Sequence, residues 1–452
     1  MGDHRTFLRD RSMRLPSEPG FWRSPLRGPW LTALLGAVLL AGITVLFVTG
    51  LLSYAAYNPE LRANDRTADH GLFGFYLFAW PTDPYWLYRL TQGLHTTVGV
   101  VLVPVLLAKL WSVIPKLFTM PPARSAAHAL ERISLLLLVG GVLFEFVTGL
   151  LNIQLDYLFP GSFYRLHLYG AWVFIAAFLV HVALRLPKAV RVLRDGPPDD
   201  LASGRRKRRE RGAQGHGRAE PADEGEREPD LGTGLVAPRP APPTLTRRGA
   251  LGAVGGGSVL LLGVTIGQNF DGPLRRTALL APHGGPDPGT GANAFQINKT
   301  AAAVGVTREE AGDGWRLIVE GAHGRKLRFS RADLLKMRQH SAALPIACVE
   351  GWSTSDQHWS GVRLRDLAEL AGFDPRDGLP GVFVASLQRS GAFRHASLRD
   401  NQVRDPRSLL ALRVGGEDLS LDHGYPARVI VPAAPGVHNT KWVTRLEFGG
   451  DR

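Results

Sequence analysis

The chain has 452 residues, of which 45% are hydrophobic and 21% are charged, with a formal net charge of +13 at pH 7. This length predicts two or three domains rather than one. A single cysteine excludes an intramolecular disulfide, so any special role of Cys348 is that of a free thiol or a ligand. The basic residues concentrate beside apolar runs, where they set membrane topology, and this placement argues against nucleic-acid binding.

Four segments have the length and apolarity of membrane-spanning helices, which need about 20 residues to cross a hydrocarbon core of about 30 Å. They are predicted at 30–52, 92–111, 133–153 and 167–186, with a weaker fifth helix at 249–267. The sequence therefore predicts an all-α four-helix transmembrane bundle over residues 30–190, followed by a fifth transmembrane helix.

The charges that flank these helices predict their orientation. A basic arm at 1–29 precedes the first helix, and the run Arg-Arg-Lys-Arg-Arg at 205–209 follows the fourth. By the positive-inside rule both flanks lie in the cytoplasm. Residues 191–246 are rich in Arg, Glu, Gly and Pro, which predicts a disordered cytoplasmic linker. We therefore expect a multi-pass protein of the plasma membrane.

A pair of arginines, Arg247 and Arg248, precedes the fifth helix. The pattern resembles a twin-arginine export signal, here placed inside the chain over 247–267. An alternative stays open, in which the pair only anchors the cytoplasmic end of the helix, because the aromatic residue that usually follows such a pair is missing. Both interpretations place the connector at 268–293 and the rest of the chain outside the cytoplasm.

An internal repeat relates the two halves of the predicted bundle. The sequence Phe-Val-Thr-Gly-Leu-Leu occurs at 47–52 and again at 146–151, at the ends of the first and third helices. A Leu-His pair then opens the second helix at His95 and the fourth at His167. Two imidazoles related in this way suit a six-coordinate haem b. The alternative is that each histidine is a polar residue at a helix end.

These histidines resemble those of the bacterial cytochrome b561 family. Its members hold two haems, with one histidine on helix one, one on helix two and a pair fourteen residues apart on helix four. His95, His167 and His181 match three of these positions, whereas the first helix lacks the fourth. The resemblance implies one haem b between His95 and His167. A second haem would need His181 and a substitute ligand such as His128.

From about residue 294 the pattern changes to short strands and short helices. We therefore predict a strand-rich α+β domain over 294–452, outside the membrane. Strands are predicted at 316–321, 382–385 and 428–431, and an amphipathic helix with a Ser330 cap at 330–339.

The only cysteine lies in the sequence Leu-Pro-Ile-Ala-Cys-Val-Glu-Gly-Trp at 344–352, between an apolar stretch and a turn. A thiol at such a position can ligate a soft metal, act as a nucleophile, or serve as a small buried apolar side chain. The chemistry of the residue type leaves these three roles open.

Four blocks around this cysteine resemble the molybdopterin-binding domain of the sulfite oxidase superfamily, including its bacterial periplasmic methionine sulfoxide reductase branch. They are the segments 348–353, 359–367, 423–428 and 439–442, in this order. The resemblance implies that Cys348 is the single protein ligand of molybdenum. A soft thiolate suits a thiophilic metal centre, and one such ligand suffices.

The resemblance also implies which residues contact the pterin cofactor. Arg428 and Lys441 match the cationic positions that bind the phosphate. The polar contacts are Asn298, His423, Asn439 and Thr440, with Ser386 as a weaker match. Two further residues are catalytic candidates, Arg394 as a positive charge near the metal and His358 as a proton donor. The alternative for each of these residues is a solvated position in a loop or turn.

One departure from the family pattern bears on the substrate. Animal and plant sulfite oxidases usually follow the cysteine with two arginines that help hold the oxyanion, whereas Glu350 and Trp352 occupy this neighbourhood here. This difference favours the reductase branch over a sulfite-oxidising enzyme.

Together these patterns predict a membrane-anchored, molybdopterin-dependent oxidoreductase. Oxygen-atom transfer at an extracytoplasmic molybdenum centre would be coupled through haem b to membrane quinone, with an S-oxide or N-oxide as substrate. The alternatives are a sulfite dehydrogenase that passes electrons to quinone and, from another class, a non-catalytic membrane-anchored binding module. The expected partners are quinone, the lipid bilayer and a small substrate, and no nucleic acid.

Overall fold

The computed structural model describes residues 26–64, 77–117, 125–153, 163–196, 245–270, 272–280, 290–391 and 393–450. Most of the predicted basic arm and nearly all of the predicted linker lie outside these residues.

Five long α-helices occupy the described part of the chain before residue 270. They are α1 (Pro29–Ala56), α2 (Leu87–Leu117), α3 (Ala126–Asn152), α4 (Tyr164–Arg194) and α5 (Arg247–Gly263). Each contributes an apolar stretch long enough to cross a membrane. Large apolar side chains on them, such as Leu136, Leu179 and Val259, are exposed. Contact with lipid would account for this exposure.

The helices extend beyond the apolar segments that the sequence predicts. The second begins at Leu87 rather than at residue 92, and the fourth begins at Tyr164 and continues to Arg194. Hydropathy detects only the apolar stretch, whereas the helical hydrogen bonds continue through polar and aromatic residues at its ends. Three corrections follow: His95 and His167 lie inside their helices and do not open them, and the first residues of the predicted linker are helical.

The C-terminal part contains two five-stranded sheets. The described strands are β1 (Leu317–Glu320), β2 (Lys326–Phe329), β3 (His340–Leu344), β4 (Gln357–Arg363), β5 (Val382–Ser386), β6 (His395–Leu398), β7 (Leu409–Val414), β8 (Glu417–Asp418), β9 (Arg428–Ile430) and β10 (Val443–Phe448).

The first sheet has the order β2-β1-β10-β5-β6, and its pairs are antiparallel except for β1 and β10, which run parallel. In the second sheet β4 lies between β3 and β7. The other edge of β7 pairs with β9 near its start and with β8 near its end, so that all pairs are antiparallel. The strand-rich domain therefore matches the predicted architecture of short strands.

Short helices connect these strands: α6 (Arg331–Lys336), α7 (Leu364–Leu370) and α8 (Asp400–Arg404). Ser330 caps α6 as predicted, since its Oγ accepts from the Asp333 amide at 3.2 Å and Asp333 Oδ2 accepts from the Ser330 amide at 2.9 Å. The predicted strands are confirmed by β1, β5 and β9. The helix ends at Lys336, three residues earlier than the sequence predicted.

Two apolar clusters form the interior of this domain. The larger contains residues of both sheets and the buried side of α7, including Leu364 and Leu367. The second surrounds Cys348 and includes Trp352, Trp359 and Ile430. The segment that carries the thiol therefore packs in the core of the second sheet and is not an exposed loop.

The chain divides into two compact units. The first consists of residues 1–43, 101–147 and 167–261, and the second of residues 44–100, 148–166 and 262–452. The second unit thus unites the C-terminal part of α1 and the N-terminal part of α2 with the strand-rich domain.

Truncation of one buried leucine of α7 should destabilise the domain much more than truncation of an exposed one. Leu367 is fully buried, whereas Leu370 on the same helix is 41% exposed. We expect Leu367→Ala to cost about 2–5 kcal/mol because it leaves a cavity, and Leu370→Ala to change stability by no more than about 0.5 kcal/mol. Thermal unfolding of the detergent-solubilised chain measures both, and equal losses would contradict the packing.

Candidate functional site

Cys348 lies in a tight loop between β3 and β4. Its amide donates to the carbonyl oxygen of Trp352 at 2.9 Å, and the Gly351 amide donates to the carbonyl oxygen of Cys348 at 3.1 Å. Gly351 has a φ of +92°, a left-handed conformation that glycine adopts without strain. We call residues 346–354 the thiol loop.

The thiol is buried, since only 1% of Cys348 is exposed. Burial, together with the neighbouring carboxyl of Glu350, raises the pKa of the Cys348 thiol well above its usual value. A neutral buried thiol is a poor nucleophile. A bound metal cation reverses this balance, because a coordinating thiol loses its proton. The environment therefore favours a ligand or a packing role over nucleophilic catalysis.

One polar side chain, Asn298, contacts the thiol, and a second, Lys441, contacts Asn298. Asn298 Nδ2 lies 3.8 Å from Cys348 Sγ, and Asn298 Oδ1 accepts from Lys441 Nζ at 3.3 Å. Lys441 Nζ also donates to the carbonyl oxygens of Lys299 at 2.5 Å and Asp422 at 2.9 Å. We call Asn298, Cys348 and Lys441 the polar cluster. Its donors distinguish this thiol from one that only fills an apolar core.

Two buried cations, Arg428 and Lys441, lie in this region, each less than 10% exposed. Arg428 Nη1 donates to the carbonyl oxygen of His423 at 3.2 Å, and the hydrogen bonds of Lys441 also go to neutral oxygens. Burial lowers the pKa of Arg428 to about 10 and that of Lys441 well below its usual value. A bound anion would stabilise two buried basic side chains whose hydrogen-bond partners are neutral.

Other buried polar atoms nearby have no hydrogen-bond partner within the described ranges. They are Arg428 Nε, Asn439 Nδ2 and Thr440 Oγ1. An unsatisfied buried donor costs about 1–3 kcal/mol, so a ligand with acceptor oxygens would stabilise this arrangement. A phosphate-bearing pterin supplies such oxygens, and the donor set therefore fits the predicted cofactor.

Neighbouring side chains fix the segment that carries these donors. Ser386 Oγ donates to the carbonyl oxygen of Lys441 at 2.7 Å, and Asn439 Oδ1 accepts from the Val431 amide at 2.8 Å. Gly424 has a φ of +110°, and a Cβ there would lie 3.1 Å from the side chain of Lys441. Ser386 thus contacts the backbone of the site, and Asn439 Nδ2 is a buried donor without a partner among the described residues.

His423 is buried with both ring nitrogens engaged. Nε2 lies 3.0 Å from the carbonyl oxygen of Phe295, and Nδ1 lies 2.8 Å from Ser420 Oγ. Because a carbonyl oxygen only accepts, Nε2 carries the proton and Nδ1 accepts from the serine hydroxyl. Desolvation, with the charge of Arg428 second, lowers the pKa of His423 to about 3, so the ring is neutral. Its carbonyl group, rather than its ring, contacts Arg428.

The two predicted catalytic residues are not brought to the thiol by any described contact. His358 is exposed on β4, next to the buried Trp359. Successive side chains of a strand point to opposite faces, so His358 faces away from the cluster that contains Trp359 and Cys348. Arg394 is exposed in the turn that precedes β6.

The predicted haem ligands His95 and His167 each have a partner for Nδ1. His95 Nδ1 lies 3.0 Å from the carbonyl oxygen of Leu46 and 3.1 Å from Thr49 Oγ1. His167 Nδ1 lies 3.2 Å from Glu145 Oε2. Positions 46 and 145 are equivalent in the repeat, because 47–52 corresponds to 146–151. In each repeat, the residue at this equivalent position therefore contacts the histidine of that repeat.

His181 lies on α4, which is continuous from Tyr164 to Arg194. At 1.5 Å per residue it is about 21 Å from His167 along the helix axis. His128 lies near the start of α3. Within the described residues no three His, Cys, Asp or Glu side chains group together to hold a metal ion. A centre held by one thiolate, or by two histidines, does not need such a group.

Two further residues, one in each compact unit, did not emerge from the sequence patterns. Glu145 is buried within an apolar helix, and an acidic residue in a membrane segment is a signal that could have identified it. The ring of Tyr57 lies 5.9 Å from that of His438. Desolvation, with smaller effects of neighbours that include Cys348, raises the pKa of Tyr57 well above its usual value. No local pattern predicts a contact between residues so far apart in the chain.

Comparisons with known proteins locate a known domain in this region. The profile of the oxidoreductase molybdopterin binding domain matches residues 303–452. Mitochondrial sulfite oxidase of Rattus norvegicus is 32% identical over 157 residues, which cover 30% of this chain and 29% of that protein. The uncharacterized oxidoreductase YuiH of Bacillus subtilis (strain 168) is 31% identical over 134 residues, which cover 30% of this chain and 65% of that protein. The chain thus spans less than two thirds of either relative.

Among solved structures, the sulfane dehydrogenase SoxCD of Paracoccus pantotrophus aligns with this chain at 25% identity and a TM-score of 0.27. The alignment covers 31% of this chain and 39% of the SoxCD chain. The residues that match the family profile include Cys348, Arg428 and Lys441, and this match supports the predicted molybdenum-dependent oxidoreductase. The C-terminal part of this chain is therefore a sulfite oxidase-like molybdopterin-binding domain.

Proposed function

We propose that this protein is a membrane-anchored molybdenum oxidoreductase whose catalytic domain lies outside the cytoplasm. The observation that carries the proposal is the polar cluster, in which a buried thiol, an amide and a buried ammonium group meet from three segments. When bound, the molybdenum cofactor supplies two-electron oxygen-atom transfer. Its membrane location, with the N-terminus in the cytoplasm, is supported by five apolar helices and by the flanking charges.

In this proposal each residue of the site has one task. Cys348 supplies the sulfur ligand, and Arg428 and Lys441 bind the phosphate group. Asn298 holds Lys441 beside the sulfur. The unpaired donors of Asn439 and Thr440 contact the remaining polar atoms of the pterin.

The proposed substrate is a small S-oxide or N-oxide. Glu350 and Trp352 follow the thiol where sulfite oxidases usually carry two arginines, so the positive charge that would hold an anion such as sulfite is missing from these positions, and a neutral oxide does not need it. Burial raises the pKa of Glu350, so its carboxyl keeps a proton to higher pH and can donate it to a departing oxygen. A sulfite dehydrogenase is the second candidate, because sulfite oxidases are among the relatives of the domain.

The proposed electron partner is membrane quinone, reached through one haem b held by His95 and His167. Metal-bound histidines usually engage their second ring nitrogen in a hydrogen bond that orients the ring. The contacts of Leu46 and Glu145 with Nδ1 have this character. His95 also belongs to the same compact unit as the catalytic domain, which suits electron exchange between them.

Replacement of the thiol tests the catalytic assignment. In purified membranes reduced with dithionite, methionine sulfoxide or an N-oxide should reoxidise the haem. Cys348→Ser should abolish this reaction and lower the molybdenum content, because oxygen is a poor substitute for a soft thiolate. The haem spectrum should stay unchanged, which serves as the folding control.

Three outcomes would contradict the proposal in different ways. Haem reduction by sulfite would favour the second candidate function. Full activity of Cys348→Ser would contradict the assignment of Cys348 as the metal ligand. Absence of both molybdenum and haem from the wild-type protein would favour a non-catalytic binding module.

The buried charge of Lys441 should cost stability in the chain without cofactor. Lys441→Met should therefore raise its thermal unfolding temperature and yet lower the molybdenum content of protein made with cofactor. The lowered pKa of Lys441 means that the unfolded chain binds more protons between this lowered pKa and the ordinary lysine pKa of about 10.4. Stability of the cofactor-free wild type should then rise with pH relative to the variant. A destabilised variant with full molybdenum content would contradict this role.

Removal of either proposed haem ligand should abolish the haem spectrum. His95→Ala and His167→Ala should each lose the low-spin haem absorption, because a six-coordinate haem needs both imidazoles. Reduction of the substrate with an artificial electron donor should continue in both variants. His181→Ala is the matched control and should keep the spectrum. Loss of the spectrum only in His181→Ala would overturn the assignment.

A further inference from the structure

The thiol loop rests on the N-terminal part of α2. Gln92 Nε2 donates to the carbonyl oxygen of Val349 at 2.5 Å. Gly351 approaches the same helix so closely that a Cβ there would lie 2.1 Å from Thr96 Oγ1. These contacts involve the two residues on either side of Glu350, immediately after the thiol.

A third contact extends this surface along the helix. Arg89 Nε donates to Ser353 Oγ at 3.1 Å, and Arg89 Nη2 donates to the carbonyl oxygen of Asn269 at 2.6 Å. Positions 89, 92 and 96 are spaced by three and four residues, so they share one face of α2. The thiol loop is therefore held along about two turns of that helix.

The residue before the thiol is held by other elements. Ala347 packs in an apolar cluster with Ala55 and Ala56 of α1, with Trp80 and with Tyr88 of α2. Trp80 Nε1 donates to the carbonyl oxygen of Ala433 at 2.7 Å, which ties the same cluster to the strand-rich domain. Cys348 is thus flanked on both sides by residues that contact the ends of membrane helices.

Gln92 is the central residue of this surface because it is a buried amide with both ends engaged. It is 7% exposed. Its Oε1 accepts from Ser53 Oγ of α1 at 2.9 Å, while its Nε2 donates to the thiol loop. A buried amide is tolerated when its donor and acceptor are satisfied. A residue that only joined α1 to α2 would not need the second bond.

We propose that Gln92 is a positioning residue that, together with the close approach of Gly351 to Thr96, holds the thiol loop so that Cys348 stays beside Asn298. The proposal rests on the proposed function, since it concerns how the metal-binding thiol is held. It implies that the strand-rich domain is incomplete as a cofactor site without the ends of α1 and α2.

The solitary cysteine provides a direct readout that does not depend on activity. The full chain, made without molybdenum cofactor and solubilised in detergent, would be treated with N-ethylmaleimide at fixed pH and followed by intact mass. The wild-type protein should react slowly because Cys348 is buried. In Gln92→Leu the rate should rise on the order of tenfold, the factor that corresponds to one lost hydrogen bond of about 1.4 kcal/mol.

Two further variants separate loop release from general damage. Gly351→Ala places a Cβ against Thr96 in a backbone conformation that disfavours side chains, and it should accelerate labelling without a change in the membrane helix. Thr91→Val is the matched control on α2, since Thr91 is buried and, within the described part of the chain, its hydroxyl bonds only the carbonyl oxygen of Tyr88 in its own helix. Its labelling rate should equal that of the wild type.

A second readout uses protein made with the cofactor. Gln92→Leu and Gly351→Ala should retain less molybdenum than Thr91→Val. Labelling of both variants at the wild-type rate would overturn the proposal, and so would equal acceleration in Thr91→Val. A wild-type protein without molybdenum would instead refute the proposed function, while the labelling result on the cofactor-free chain would still stand.

Discussion

The burial of an ammonium group beside a thiol is the constraint around which the C-terminal domain is built. Lys441 and Cys348 are joined through Asn298, and burial shifts the pKa of both groups toward the neutral form. This arrangement is unfavourable for the protein alone, because desolvated polar groups without full partners cost free energy. An anionic ligand and a metal cation together would remove the cost, so binding and folding of this region would be thermodynamically coupled. On this proposal the domain holds its buried polar groups in place at the expense of its stability without the cofactor.

The surrounding structure limits how these groups can relax. Ser386 and Gly424 fix Lys441 from two sides, one by a hydrogen bond to its backbone and the other by close approach. Arg428 begins β9, whose pairing with β7 holds its backbone in the second sheet. A lysine on a mobile loop would turn toward water and lose its role, since its long side chain readily finds solvent. Rigid neighbours are thus as important to the site as the charges themselves.

Sequence patterns predicted the parts of this structure that depend on local physics. Alternating apolar residues identified β1 and β5, and Ser330 identified the start of α6, because these signals lie within a few residues of one another. Family resemblance supplied Cys348, Arg428 and Lys441. The patterns could not show that His358 faces away from the thiol, since proximity in sequence does not determine the face of a strand. The sequence patterns also missed Gln92 and Tyr57, because Val349, which Gln92 contacts, and His438, which Tyr57 contacts, lie more than 250 residues away in the chain.

The position of Gln92 also bears on how the two halves of the chain depend on each other. In the sequence, the linker and the fifth helix separate the first four helices from the catalytic domain. This separation suggests two independent modules. In the structure the ends of α1 and α2 belong to the same compact unit as the domain, and Gln92 gives its amide hydrogen to the loop that carries the thiol. Polar side chains at the end of a membrane helix can remain in water at little cost, so a buried, fully bonded glutamine there reflects a specific demand. That demand is met only when helix and loop are both present, so on our proposal the ends of α1 and α2 are part of the site.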